Sequence, residues 1–487
     1  MDAIQTLTTD INSYLSGNHT YNDYKDYWKY LFESYIGGEE YRNAGHLVKY
    51  QNESEGEYRA RLETTPMQNH CQSVISVYNS FMFRQPPSRE LGNLTGNPAA
   101  ESFLKDADMD GRSLNAFMKD ASTISSIFGA AWVIVSKPNV GARTLADEIN
   151  QGVRPYANLL SPLVVLDWSY ARLANGRYVL DRLKYIEDTN GSIITVKEWT
   201  METIKTHVVD KENEQVIERY EEENGLGMIP VVIVYNKRSI IRGIGISDIG
   251  DIADAQKFIY NAMSEIDQSI RLDSHPSLVK TESTNAGVGA GAIIHMPEDM
   301  DPGLKPYILD HQGASVDKIL ATIEQTIGSI DKMANTGAVR ATSASQMSGV
   351  AMETEFQLLN ARLSEKSDNL ELAEEYIWEL FAAYQGQAWD GIIDYPDSFN
   401  LRDAANDLEM YLKAGTANVS PDFRKQLHKQ IAKTVIDDEV ALNQIIEGIE
   451  SSDFEPHIMQ DPDTGENRIA MSEAEHLALA AQGWIHI

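Results

Sequence analysis

The chain of 487 residues contains one cysteine, Cys71. An internal disulfide is therefore impossible, and the protein is expected to fold and work in a reducing compartment. No nucleophile signature surrounds Cys71, so it reads as a buried apolar thiol. Long apolar runs are also missing. The longest, Gly129–Val135 and Leu159–Leu166, fall far short of the ~20 residues that a membrane-spanning helix needs. Met1–Thr20 lacks a basic segment followed by an apolar core, so no secretion signal is read there and no membrane association is expected. Basic residues are scarce: 41 Lys and Arg against 73 Asp and Glu leave a net charge of −32. That balance argues against a protein that grips nucleic acid through a wide basic face.

Familiar catalytic patterns are absent too. The sequence has no GxxxxGK[ST], no HExxH and no GxSxG. Its 11 histidines are scattered; His275, His295 and His311 share one segment, but their spacing matches no familiar metal site. Carboxylate pairs occur throughout without one specific enough for acid–base work. Neither a metal nor a cofactor is expected.

What remains is ordinary globular material. The chain is 42% hydrophobic and 8% aromatic, too much for disorder, and its length suggests about three domain-sized units. Tyr21, Tyr24, Tyr27, Trp28, Leu31 and Tyr35 step by three or four, which predicts an amphipathic helix whose stripe is core. Helices follow at Glu57–Leu62, Met67–Phe83 and Leu114–Phe128, then a strand at Ala131–Ser136. From about Tyr156 to Val234 the pattern turns to short β-branched runs: Leu163–Asp167, Val179–Ile186, Ile193–Thr200, Lys205–Asp210 and Val231–Tyr235. Asn-Gly at 175–176 and 190–191 marks hairpins in an antiparallel sheet. The acidic run Glu221–Glu223 reads as a solvated loop.

Beyond Tyr235 the spacing is helical. Ser247 suits an N-cap, Asp248 and Asp251 suit the positive end of a helix dipole, and isoleucines and Met263 recur to Ile270. A helix over 246–270 would be about 37 Å long. After Ser274-His275-Pro276 come short strands at Leu278–Thr281, Ala292–Met296 and Tyr307–Leu309. A second helix from near Ser315 carries Val316, Ile319, Leu320, Ile323, Ile327, Ile330 and Met333 on one face. Asn335–Ser348 is small and polar with Arg340 as its only charge, and a third helix spans about Gly349–Gln385. Residues 401–414 and 421–450 read as further helices, Asp461–Gly465 as a turn, and Ser472 as the cap of a last helix.

Two features bear on chemistry. Val231–Tyr235 followed by Gly243-Ile-Gly245 and a helix has the strand–glycine turn–helix order of a dinucleotide site, but aspartate holds the third glycine position, 248, and would repel a phosphate. On the second helix Asp317, Glu324 and Asp331 lie seven apart and nearly eclipse. Their plain reading is a solvated face. In a ring whose lumen this helix lines, each becomes a ring of negative charge.

The order of these pieces resembles the portal proteins of tailed double-stranded DNA bacteriophages. Pro230–Asn236 and then Arg242–Asp248 opening a long helix resemble the approach to the portal stem. The interrupted helix pair with its β insert is similar to stem, clip and stem. The small-residue loop and Ser348–Ala351 resemble the tunnel loop and the wing helix behind it. Tyr35–Gly38 and Tyr58–Pro87 look like the N-terminal region of the same family.

The resemblance implies an α+β portal fold with a wing, long stem helices, a small β clip and a helical crown, assembled as a ring, commonly of twelve copies, without enzymatic activity. It places the wing in 1–245, stem helices in 246–272 and 315–334, the clip in 273–314, and the tunnel loop in 335–348. The wing's long helix and following segment fall in 349–415, crown and tail in 416–487. Asp317, Glu324 and Asp331 become channel-lining candidates. Asn335, Thr336, Gly337, Val339, Arg340, Thr342, Ser343 and Ser345 become tunnel-loop residues, and Leu278, Lys280, His295 and Met296 candidate clip contacts. Implied partners are copies of the chain, double-stranded DNA in transit, the terminase large subunit, a head-completion adaptor, and the major capsid or scaffold protein. The implied place is a capsid vertex of the virion, after assembly in the host cytoplasm. On the resemblance, Arg340 touches phosphates transiently, and Arg340→Ala leaves the ring intact while altering DNA packaging or retention. A helical scaffold or capsid adaptor without a channel, or an acidic cytoplasmic enzyme, are the alternatives left open by the residues alone.

Overall fold

Asn18 starts the first long element: its side chain accepts a hydrogen bond from Tyr21 N at 2.7 Å and caps the helix His19–Ile36. The aromatic stripe points inward as its spacing requires. Trp28 and Leu31 are buried, Tyr21, Tyr24 and Tyr35 pack around them, and Tyr27 faces out. These observations come from a computed structural model that describes residues 11–138, 152–274, 277–281, 301–309, 314–340, 349–399, 411, 413–414, 421–436, 439–451, 457–462, 464–470 and 473–486. The chain divides into two compact units, Met1–Phe399 and Asn400–Ile487, rather than the three that its length suggested.

In the first unit, helices Glu55–Thr64, His70–Met82, Pro98–Lys105 and Leu114–Phe128 surround one large core. Gly129, at φ +89°, turns the last of these into the buried strand Ala130–Ser136. That strand is the middle of three, antiparallel to Tyr156–Leu160 on one side and to Val231–Tyr235 on the other. A separate five-stranded antiparallel meander runs Val165–Arg172, Tyr178–Asn190, Ile193–Thr200, Thr203–Asp210 and Gln215–Glu223. Its first two hairpins turn at the Asn-Gly pairs, with Gly176 and Gly191 at positive φ.

Two details depart from the sequence expectation. Val231–Tyr235 belongs to the three-stranded sheet, not to the meander. Glu221–Glu223 lie in a strand, not a loop: Glu221 pairs in register with Lys205, their charged groups 3.7 Å apart. The strand is the exposed edge of its sheet, where solvated carboxylates on the outer face discourage further pairing. An edge strand of this kind carries no alternating apolar signal.

Two long helices then run antiparallel, Gly250–Ser274 and Ala314–Ala334. Ile252, Ile259 and Ile266 of the first and Ile323 and Ile330 of the second are buried, whereas Leu320 and Met333 of the expected stripe are substantially exposed. The first helix begins at Gly250 rather than 246, because Ser247 is occupied elsewhere. Its hydroxyl donates to Ile127 O at 2.6 Å and accepts from Ile249 N at 3.0 Å, fastening residues 247–249 to the end of the Leu114–Phe128 helix. Between the long helices, Ser277–Val279 pairs antiparallel with Tyr307–Leu309. The expected strand Ala292–Met296 lies outside the described residues. The third long helix, Gly349–Tyr384, buries Leu359, Leu363, Leu370, Ile377, Trp378 and Phe381 in the common core, while Leu358 faces out.

The second unit has helices Pro421–Val435 and Glu439–Ser451 and a small three-stranded sheet, in which His457–Gln460 lies between Asn467–Ala470 and Ile485–His486. Met459, Ala470, Leu479 and Trp484 form its core with the helix Glu473–Ala481. The turn at Asp461–Gly465 forms as expected, Gly465 N donating to Asp461 O at 2.8 Å. Ser472 is outside the described residues.

Candidate functional site

The three long helices meet at a buried charged junction. Asp248, just ahead of the first helix, accepts from Lys366 Nζ at 2.6 Å and from Arg362 Nη2 at 2.9 Å. Lys366 also donates to Ser126 Oγ at 2.8 Å and to Asn236 Oδ1. Arg362 reaches from the third helix to Met333 O in the last turn of the second, at 2.8 Å. Tyr78 donates to Ala334 O at 2.6 Å. The start of the first long helix and the end of the second are thus both fixed to Arg362. Burial alone would raise the Asp248 pKa, but Lys366 and Arg362 outweigh it and hold the carboxyl below its ordinary range. Burial in turn pulls Lys366 below the usual lysine range, against the attraction of Asp248.

The glycine turn at 243–245 has a packing function. A Cβ on Gly245 would stand 1.8 Å from Gly129 O, and one on Gly243 would stand 2.5 Å from Trp168 Nε1. The turn lets two backbone segments touch, and Asp248 faces lysine and arginine rather than a phosphate.

A second ion pair lies beside the junction. Arg340 Nη1 is 3.0 Å from Asp331 Oδ1, and Arg340 Nη2 donates to His70 Nδ1 at 3.1 Å. Burial first, and Arg340 second, keep the His70 pKa below the ordinary histidine range, which suits a neutral acceptor. Thr336, fully buried, donates to both the backbone and the carboxylate of Asp331. Two expectations change here. Asp331 is 8% exposed and neutralised by Arg340, so it does not continue an exposed acidic stripe. Arg340 is not an isolated loop charge: it closes the short helix Gly337–Arg340 and is largely covered.

Asp317 and Glu324 are exposed on the second helix. The next row round that helix, Lys318, Gln325 and Lys332, is exposed too, so cations stand beside the carboxylates. Asn335 takes φ +55° and Val339 is exposed. Thr342, Ser343 and Ser345 lie outside the described residues, as do His295 and Met296. Leu278 pairs in register with Ile308, and Lys280 is exposed after the hairpin strand.

Cys71 is buried, and burial pushes its thiol up to about 12. Among the described residues, no group of three His, Cys, Asp or Glu is placed to hold a metal ion. No described helix is long and apolar enough to cross a membrane.

Lys366 and Arg362 were missed by sequence reasoning. The available signal was two cations four apart on the face that carries Leu359, Leu363 and Leu370, where unpaired charge is not tolerated.

No curated protein matches the chain. Solved structures that do match include a chain of the "Virion of native gene transfer agent (GTA) particle", with TM-score 0.41 and 11% identity over 74% of this chain and 89% of that chain. Another is from the "Neck of empty GTA particle computed with C6 symmetry", with TM-score 0.44 and 10% identity over 75% and 91%. A third is from the "Neck of native GTA particle computed with C12 symmetry", with TM-score 0.43 and 11% identity over 73% and 89%. The family model described as "Phage portal protein, SPP1 Gp6-like" matches residues 21–439. The chain therefore belongs to the SPP1 Gp6-like phage portal proteins, a family of structural proteins rather than enzymes.

Proposed function

We propose that the protein forms a ring, commonly of twelve copies in this family, at one capsid vertex, and that double-stranded DNA passes through its centre during packaging and ejection. The observation that carries this reading is the family match over residues 21–439, which takes in the interrupted helix pair with its β hairpin. On this reading 1–245 form the wing and 246–272 and 315–334 the stem. The clip is 273–314, with Leu278, Lys280, His295 and Met296 as candidate contacts for the terminase and then a head-completion adaptor. The tunnel loop is 335–348, the wing's long helix and following segment are 349–415, and 416–487 contribute crown and tail. Major capsid or scaffold protein surrounds the ring. Assembly takes place in the host cytoplasm and the product resides in the virion.

A conducting channel must not hold what it conducts. Each phosphate neutralised by a cation adds affinity and slows movement. Asp317 and Glu324, exposed on the second helix, supply repulsion, while Lys318 and Lys332 beside them keep it shallow. Screening confines these effects to about 8–10 Å at physiological salt, so they act in a tight lumen.

Electron microscopy of the purified protein tests the reading. Rings with an open channel wide enough for a duplex are expected; compact monomers at all concentrations would end it.

A further inference from the structure

The loop between Tyr235 and the first long helix presents an apolar tip that none of the described residues covers. Ile240 is 102% exposed and its neighbour Ile241 40%. Single exposed apolar side chains are common, but this tip is braced by hydrogen bonds within its own loop. Ile246 N donates to Lys237 O at 2.8 Å, Ile241 N donates to Ser239 Oγ at 3.0 Å, and Gly243 N donates to the Tyr235 hydroxyl at 3.1 Å. Three exposed cations frame the tip: Lys237, Arg238 and Arg242. Two of them rest on aromatic faces, Arg242 over Tyr178 at 3.7 Å and Arg238 over Tyr235 at 5.1 Å, which holds them in place. In a chain of net charge −32, this is a concentrated basic and apolar knob.

A matching recess lies elsewhere in the same unit. Val48, Tyr50, Phe258 and Ile319 line an open groove of about 570 Å³ between the two long helices and the segment before Glu55. Val48 and Phe258 are 61% and 49% exposed. Its wall is fixed: Val48 N donates to Asn261 Oδ1 at 2.8 Å, and the Tyr50 hydroxyl donates to Glu265 at 2.7 Å. Asp251, Asp254, Phe258, Ala262 and Glu265 follow helical spacing along one stripe of the Gly250–Ser274 helix. Three exposed carboxylates thus flank an exposed phenylalanine. Among the described lining residues the one cation is Lys318, on the opposite helix; Arg61 stacks on Tyr50 at 3.9 Å but is paired with Glu53.

We infer that the groove receives the Ile240–Ile241 knob of a second copy of this chain, with Lys237, Arg238 and Arg242 set against Asp251, Asp254 and Glu265. The occupant is a second copy because each surface supplies what the other lacks, in apolar shape and in sign of charge. Knob and groove are different surfaces, so the contact is heterologous: each copy offers one and accepts the other, the kind of joint from which a ring is built. The inference rests on the ring reading above and assigns to it one specific joint between neighbours.

The single native thiol makes the test clean, because Cys71 is buried and its thiol is suppressed. The double variant Ile240→Cys with Phe258→Cys, treated with a short bismaleimide, is expected to yield a ladder of covalent multimers, while either single variant stays monomeric on a denaturing gel. Rings visible by microscopy with no ladder would overturn the joint and leave the portal reading standing. Cross-linked dimers from Ile240→Cys alone would show the knob meeting itself and also overturn it. Absence of any assembly would remove the joint and the ring reading together. In a second arm, Ile240→Glu, on a side chain with no packing to lose, is expected to raise the concentration needed for assembly at least about tenfold with an unchanged circular dichroism spectrum. Unaltered assembly would refute the inference. So would unaltered assembly together with loss of binding to anionic vesicles or duplex DNA, which would assign the knob to those ligands instead.

Discussion

Arg340 and Asp331 form a nearly buried ion pair, Nη1 to Oδ1 3.0 Å, that closes the last turn of the second long helix against the segment following it. Removing the guanidinium leaves a covered carboxylate that keeps, among the described side chains, the Thr336 hydroxyl at 3.3 Å. Arg340→Ala is expected to destabilise the first unit by about 2–3 kcal/mol, read as a lower midpoint in urea unfolding. A double-mutant cycle with Asp331→Asn should return a coupling energy on the order of 1–2 kcal/mol. Additive effects would show that the pair is idle. An effect of Arg340→Ala on DNA retention is then to be judged only beside Asp331→Asn, which loosens the same segment without removing the cation.

The Asp248–Lys366 pair predicts an asymmetry. Lys366→Met leaves a buried carboxylate with Arg362 as its remaining cation and Asn236 as a neutral partner, with an expected loss of about 3–5 kcal/mol. Coupling it to Asp248→Leu should recover much of that loss, since well-packed apolar replacements of buried pairs are near neutral. Equal stability of the single and double variants would contradict the pairing.

The same carboxylate sets a pH dependence. A folded-state pKa held below the unfolded value, about 3.9, stabilises the protein above that value and ceases to do so as pH falls through the folded one. Thermal unfolding of wild type and Asp248→Asn should therefore differ most near neutrality and converge below about pH 4. A constant difference across the range would mean that Asp248 is not ionised in the native state.

Gly245 and Gly56 form a contrasting pair. A Cβ at Gly245 collides with Gly129 O, whereas one at Gly56, in the helix Glu55–Thr64, meets nothing within 4 Å. Gly245→Ala should cost more than about 3 kcal/mol or abolish soluble expression. Gly56→Ala should add about 0.5–1 kcal/mol through helix propensity. A tolerated Gly245→Ala would mean that the two segments do not touch.

Exposed carboxylates should matter to DNA and not to folding. Asp317→Lys with Glu324→Lys is expected to shift stability by no more than about 0.5 kcal/mol yet to strengthen duplex binding by the assembled protein. That binding should weaken steeply with salt, as measured by fluorescence anisotropy. Unchanged binding would place these residues away from the DNA path.

The helices were legible wherever isoleucine and leucine repeat at three and four, because each buries one face in a continuous core. The edge strand with Glu221–Glu223 was not, since a solvated edge carries no apolar alternation. Asp248 looked like a dipole partner at a helix start because local sequence offers nothing else. Its actual partners, Arg362 and Lys366, come from a distant helix, and only packing joins them. Asp331 and Arg340 misled in the same way: each looked solvated in its own window, and their pairing becomes visible only when the chain turns back at Asn335. The exposed pair Asp317 and Glu324 followed from spacing alone, but the lysine row beside them needed the whole helix surface to be considered.

The first long helix is held from its start, where Asp248 and Met333 share the Arg362 side chain, as far as Asp267, which accepts from the Thr64 hydroxyl at 3.2 Å, and the strands at 277–279 and 307–309 join the two helices beyond it. Mechanically the cantilever is short: about 10 Å of helix beyond Asp267, and the hairpin. A sideways load at the hairpin is met first where Glu265 and Asp267 accept from the Tyr50 and Thr64 hydroxyls, and only then at the charged junction. Stiffness at the tip is thereby governed by the supports nearest to it, and removing the Tyr50 or Thr64 hydroxyl should soften the far end more than loosening Lys366 or Arg362.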